Sequence, residues 1–228
     1  MGHVDFNQMG ISTIYLLACL VLFLVGKVIF GFFNKNVNGT EELLEKDNLA
    51  YSFSLVGYYL GLTLAIGSSL FGDHVSLVDD LISIGTYGLG AILLLNISSI
   101  INDKIIFRKF KMSKEILTDQ NVGTGVIEAI NYLSVGLIIL GASRGAGEYS
   151  TILIYWGIAQ VALIVTSFIY NKMTSYDIHK EIEKDNVAAG VGYAGAILAM
   201  AVVLSYSVSM HYDTFPEAIA SIVTLIVI

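Results

Sequence analysis

The stretch EKDNLA, residues 45–50, returns as EKDNVA at residues 183–188, each time directly before a long apolar run. A weaker copy, TDQNVG at 118–123, holds the same place before another such run. Each copy ends in an asparagine followed by Leu or Val and then Ala or Gly: Asn48, Asn121 and Asn186. The runs that arrive at these stretches also end alike, in NKN at 34–36, NDK at 102–104 and NKM at 171–173. The pattern reads as helix, connection, helix, used three times.

The rest of the chain says what kind of helices these are. Of its 228 residues 55% are hydrophobic and only 14% charged, with a single Pro, and the mean hydropathy is +0.74. Such a composition does not fit a soluble globular domain. Apolar runs of about 20 residues span the ~30 Å hydrocarbon core as helices, and they lie at 10–33, 49–70, 77–101, 122–142, 150–170 and 187–209. A further run, 215–228, reaches the chain end without a polar flank, so a truncated chain or a helix that borrows a partner is expected there. The leader MGHVDFNQMG has no Lys or Arg and carries Asp5, the reverse of a basic signal-peptide start. The first run is therefore expected to remain as a helix.

The predicted fold is all-α: a polytopic membrane helix bundle of about seven transmembrane helices built from repeated parallel helix hairpins. Their bounds are 1–72, 73–145 and 146–212, with a partial seventh helix at 213–228. Copies of one orientation relate to each other about an axis along the membrane normal, an arrangement that occurs in transporters.

Charge gives the orientation. Eleven of the twelve basic residues fall in or beside alternate connections: Lys27, Lys35 and Lys46, then Lys104, Arg108, Lys109, Lys111 and Lys114, then Lys172, Lys180 and Lys184. Arg144 alone is on the other side, among Asp73, Asp79, Asp80, Glu148, Asp213 and Glu217. The positive-inside rule puts the basic connections in the cytoplasm and the N-terminus outside. A net charge of −7 invites no nucleic acid. Cys19 stands alone, which rules out an intramolecular disulfide, a CxxC pair or a zinc knuckle. The sequence contains no Walker loop, HExxH or GxSxG, so neither an enzyme nor a cofactor is expected.

The hexapeptides gain a physical role from this placement. A helix entering lipid exposes unpaired N–H groups in its first turn; an Asn or Asp at the N-cap satisfies one or two, and a carboxylate suits the positive end of the helix dipole. Asp47, Asn48, Asn121, Asp185 and Asn186 are thus expected caps, with a ligand or gating role for the asparagines at the cytoplasmic mouth as the alternative. The connections themselves read as short amphipathic helices on the membrane surface. In TEELLEKDN, Thr40 is the expected cap. DKIIFRKFKMSKEIL brings Lys104, Arg108, Lys109, Lys111 and Lys114 toward an anionic leaflet or a cytoplasmic partner.

The motif Asp47-Asn48-Leu49-Ala50-Tyr51-Ser52, repeated as Asp185-Asn186-Val187-Ala188-Ala189-Gly190, resembles that of the bacterial YjfL-like inner-membrane proteins, called domain of unknown function 350. There too a short cytoplasmic helix is followed by (N/D)NxAA(S/G) opening a Gly-rich helix. The middle copy departs from it, with Gly123-Thr124 where the doubled small residues should be. The resemblance covers most of the chain and implies a multi-pass protein of the bacterial inner membrane, of unsettled activity, sometimes linked with envelope stress or phage-shock neighbourhoods. It supplies no catalytic residues.

Polar groups inside the runs carry the remaining signal. Glu128 lies about seven residues into the fourth run, roughly 10 Å from its cytoplasmic end. A charged side chain at a helix centre disfavours insertion by about 2.5–3.5 kcal/mol, and such groups usually face a bundle interior or a wet cavity. Asn131 shares its face, Asn96 lies at similar depth on the preceding helix, and Gln160 sits mid-membrane on the fifth. These four residues are candidates for a polar path. The alternative is a neutral Glu hydrogen-bonded between helices. Arg144 and Glu148 are read as a surface pair, and Asp73-His74 and His211 with Asp213 as solvated loop ends or a divalent-ion site. Gly57 and Gly61, and Ala188, Gly192 and Ala196, would let backbones approach closely.

Two functions from different classes lead, ahead of an intramembrane enzyme, which is least favoured because no nucleophile and base pair or metal triad is visible. One is a small channel or transporter for a cation, proton or small polar solute. The other is a non-catalytic scaffold binding lipid or a cytoplasmic membrane-stress partner through the basic connections. A homo-oligomer is expected in either case, because the last hairpin leaves a helix face uncovered.

Overall fold

The computed structural model describes residues 6–35, 37–71, 76–106, 112–146 and 149–210, with positions 216, 217, 219, 220 and 224 of the tail. The helices are α1 (Phe6–Phe33), α2 (Leu49–Gly67), α3 (Leu77–Ile105), α4 (Met112–Leu117), α5 (Val122–Ala146), α6 (Tyr149–Met173), α7 (Ile178–Glu183) and α8 (Val187–Val208). A π-helical turn, Glu41–Glu45, precedes α2, and a 3-10 turn, Ser68–Leu70, extends it. Among the described residues α1, α2, α3, α5, α6 and α8 are long and apolar enough to cross a membrane. They coincide with the six apolar runs of the sequence. The seventh run lies largely outside the described residues.

Helix bounds differ from the runs at one informative place. The third run ends at Ile101, yet α3 continues through Asn102, Asp103 and Lys104 to Ile105. The Ile106 amide still donates to the Asn102 carbonyl at 2.8 Å, so this polar triplet is the last turn of the helix. Thr40 also departs from expectation. It is already helical and its side chain caps nothing; the Asn38 side-chain oxygen accepts from the Glu41 amide at 3.4 Å in its place.

The six long helices form two rows. In one, α2 packs on α5 and α5 on α8, more closely than any other pairs. In the other, α1, α3 and α6 lie along this row, with α3 touching both α2 and α5 and α6 touching both α5 and α8. Lipid tails are as apolar as leucine, so helices in a bilayer are held by close packing and interhelical hydrogen bonds rather than by hydrophobic exclusion. Glycine supplies the closeness. A Cβ on Gly57 would fall 2.1 Å from the Cα of Ala129, one on Gly61 2.4 Å from the Tyr132 carbonyl, and one on Gly125 2.3 Å from the Ala50 carbonyl. The α5–α8 contact is alike: a Cβ on Gly141 would lie 2.3 Å from the Ser205 carbonyl, and one on Gly190 2.9 Å from the Gly123 Cα. At the other end of the bundle the Arg144 guanidinium stands 4.6 Å from the Phe71 ring centroid. Glu148, its expected partner, is outside the described residues, as are Asp73, His74, His211 and Asp213.

Candidate functional site

The three re-entry points share one geometry. Asp47, Gln120 and Asp185 take left-handed backbone angles, φ 49, 51 and 62°, which Asp and Asn accept more readily than most residues. The turn they make aims the following asparagine into the helix start. The Asn48 Oδ1 accepts from the Tyr51 amide at 3.0 Å, Asn121 from Thr124 at 2.9 Å, and Asn186 from Ala189 at 3.2 Å. The asparagines are therefore the caps, and Asp47 and Asp185 make the turn before them.

The side-chain NH2 groups go elsewhere. Asn48 donates to Glu42 at 2.7 Å and to the Ile116 carbonyl of α4 at 2.9 Å. Asn121 donates to the Ile182 carbonyl of α7 at 2.6 Å, with Glu115 at 3.5 Å. Asn186 donates to Glu181 at 3.1 Å. Asn48 and Asn121 are 0% and 2% exposed, whereas Asn186 is open to the surroundings. Asn48→Ala removes the cap, leaves the buried Ile116 carbonyl without this donor and takes one of the Glu42 carboxylate's two partners, so it should lower stability by about 2–4 kcal/mol. Asn186→Ala should lower it by about 1 kcal/mol. Thermal unfolding of the two variants in one detergent measures the difference.

The glutamates behind these caps are not equivalent. Burial pushes the Glu42 carboxyl up, but the Lys46 ammonium, 2.7 Å away, and the Asn48 amide outweigh it and hold the group below its ordinary value. Glu115 lacks such a cation, since Lys114 is paired with Asp119 at 2.6 Å; burial and Asp119 raise it. A depressed carboxyl contributes stability above its unfolded value, about pH 4.3, and that contribution is lost as pH falls through the folded value. Wild type should therefore lose more thermal stability below about pH 4 than Glu42→Gln does.

Behind α4 lies a cavity of about 180 Å³ with a mixed polar and apolar lining, in the half of the bundle that holds the basic connections. From α3 come Asn96, Ser99 and Asp103, from α2 Tyr51 and Ser54, and from α5 Glu128 and Tyr132. Three- and four-residue spacings place each set on one helix face. The Ser54 hydroxyl donates to the Glu128 carboxylate, and the Ser99 hydroxyl to Tyr132 at 3.2 Å. Asn96 donates to the Ile92 carbonyl at 2.8 Å. The Asp103 and Glu128 carboxylates are near enough to act on each other electrostatically, and the buried Oδ1 of Asp103 has no hydrogen-bond partner. Residues of α4 and the α1–α2 connection, including Ile116, Leu117 and Asn34, line the outer end.

Asn131 and Gln160 are not in this cavity. Asn102 donates to the side-chain oxygen of Asn131 and accepts from Gln160, joining α3, α5 and α6. Next to it the Trp156 indole N–H donates to Ser98 at 2.9 Å. The four polar candidates thus divide: Asn96 and Glu128 share a carboxylate cavity, while Asn131 and Gln160 form an interhelical hydrogen-bond network with Asn102. Asp103, Ser54, Ser99, Tyr51 and Tyr132 in the cavity, and Asn102 in the network, are the site residues that reading the sequence missed. The available signal was the i, i+3, i+7 spacing of Asn96, Ser99 and Asp103, hidden because NDK looked like a helix end. Of the basic cluster, Lys104 is exposed and Lys114 is ion-paired; Arg108, Lys109 and Lys111 lie outside the described residues.

Comparison with known proteins places this architecture. The sequence model of the family described as Domain of Unknown Function (DUF350) matches residues 5–143 and again 146–228. The chain belongs to this family. In this family member the re-entry asparagines and the carboxylate cavity are distributed over both matched segments and the first alone, respectively. A relative, the UPF0719 transmembrane protein of Aquifex aeolicus (strain VF5), is 29% identical over 185 residues, covering 75% of this chain and 63% of that protein. The chain therefore spans less than two thirds of the length of that relative. No solved structure matches. The family, the relative and the six apolar helices together make it a multi-pass membrane protein.

Proposed function

We propose that this protein is a small channel or transporter for protons or cations of the bacterial inner membrane, with Asp103 and Glu128 as the site that holds the ion. The observation that carries this reading is the shared cavity, lined by two carboxylates near enough to act on each other, one of which has a buried oxygen with no hydrogen-bond partner. Two carboxylates that act on each other in a low-dielectric region favour taking up a proton or a cation. Ser54, Ser99, Tyr51 and Tyr132 supply further oxygens for a partly dehydrated ion, and Asn96 a polar wall. The basic ends of the helices face the cytoplasm and the N-terminus faces outward, so the cavity opens toward the cytoplasmic side beneath α4. Asn131, Asn102 and Gln160 hold α3, α5 and α6 in register behind the site. No nucleophile with an adjacent base is included in this reading, and the protein acts without enzymatic turnover.

Cation and proton flux in proteoliposomes tests the reading: Asp103→Asn should abolish the flux and Lys114→Gln leave it intact. Exposed Leu44 and Lys104 on the same end favour a second role as a surface for anionic lipid or a membrane-stress partner. Neutralising Lys104, Arg108, Lys109, Lys111 and Lys114 together should weaken vesicle binding of that surface without changing flux.

A further inference from the structure

We propose that the outer face of α8 is the seat for α2 of a second copy of this chain, in the register by which α2 already meets α5 and α5 meets α8. Counted from the re-entry asparagine, position +2 of one helix lies against position +4 of the next. Ala50 meets Gly125, and Gly123 meets Gly190, with the backbones so close that a Cβ on Gly125 or Gly190 would fall within 3 Å of its neighbour. The third member of the series, Ala188, is exposed, and so are Gly192, Gly195 and Ala199 below it. These stand where Ala50, Ser54, Gly57 and Gly61 stand on α2, and there all four are buried by α5.

The hydrogen bonds follow the same rule. Asn48 and Asn121 each donate to a carbonyl of the following connection, that of Ile116 and that of Ile182. Each acceptor is one residue past the glutamate that closes the cap. Asn186 has the donor but, among the described residues, no such acceptor; its amide reaches Glu181 alone. At the opposite end of the row the corresponding acceptor is the Leu43 carbonyl. Leu43 is 36% exposed, against 4% and 0% for Ile116 and Ile182. One end of the α2–α5–α8 row thus offers the Asn186 side-chain amide over a small-residue face, and the other the Leu43 carbonyl beside exposed Val56 and Thr63. An interface made of two different, complementary faces is head-to-tail, and it continues the interface already present twice inside the chain. By the +2/+4 rule Ser52 of the second copy lies against Ala188, and the Leu43 carbonyl of that copy receives the Asn186 amide.

The test uses full chains in vesicles, in a Cys19→Ser background. Chains carrying Ser52→Cys are mixed with chains carrying Ala188→Cys and oxidised. The proposal expects a disulfide-linked dimer from this mixture and only a background level when Val28→Cys, on the exposed side of α1, replaces Ser52→Cys. Adding Gly195→Leu to the Ala188→Cys chain should abolish the link while thermal unfolding stays unchanged, because nothing lies within 4 Å of Gly195 in the single chain. Absence of the link between correctly inserted chains overturns the proposal, showing this face to be covered by lipid or by another segment. Equal linking with Val28→Cys, or dimers of Ala188→Cys alone, overturns it as well. Flux plays no part in the readout, so the result is independent of the ion-transport reading.

Discussion

Gly57→Val is expected to destabilise the folded protein by about 3 kcal/mol or more, at the upper end of what overpacking does. The reason is the kind of atom in the way. A Cβ at Gly57 meets the Cα, carbonyl carbon and carbonyl oxygen of Ala129 at 2.1–2.6 Å, and backbone cannot rotate aside as a side chain does. Relief requires α2 and α5 to separate, which opens the neighbouring contacts at Gly61, Gly125 and Gly136 together. Gly195→Val places the same side chain at the same distance from its own re-entry asparagine, yet meets open space, and should change stability by less than about 0.5 kcal/mol. Thermal unfolding of both variants at a detergent concentration that keeps single chains apart gives the comparison. Similar losses from both substitutions would mean that the α2–α5 contact is not the tight one.

The outline of this architecture was legible because its signals survive in a greasy chain. The EKDNLA and EKDNVA stretches mark where helices re-enter the membrane, and the three asparagines cap as their position predicts. Which faces meet was not legible. A helix with apolar residues on both its lipid side and its packed side has little periodic contrast, so only glycine spacing hinted at the α2–α5 contact. The same stripe on α8 points the other way, outward, and no property of Ala188, Gly192 or Gly195 alone reveals that. The carboxylate cavity was half legible. Glu128 stood out because charge is rare inside an apolar run, while Asp103 was masked by its neighbours Asn102 and Lys104. Thr40 failed as a cap because Asn38, two residues earlier, already accepts from the Glu41 amide.

The largest functional effect is expected from Glu128→Gln. The substitution keeps the shape of the side chain and the hydrogen bond from Ser54 while removing the charge, and it leaves the α2–α5 glycine contacts untouched. A proton or cation in the proposed ion site then loses one of its two anionic partners, and the cavity of about 180 Å³ attracts it less strongly. The most direct measurement is proton and cation flux into proteoliposomes, wild type beside Glu128→Gln, at neutral and mildly acidic pH, with matched thermal unfolding to show that both are folded. Flux in wild type that falls to the protein-free level in Glu128→Gln is the predicted result. A folded Glu128→Gln variant that conducts as wild type does, or a folded wild type that conducts nothing, would contradict the assignment of this cavity as an ion pathway.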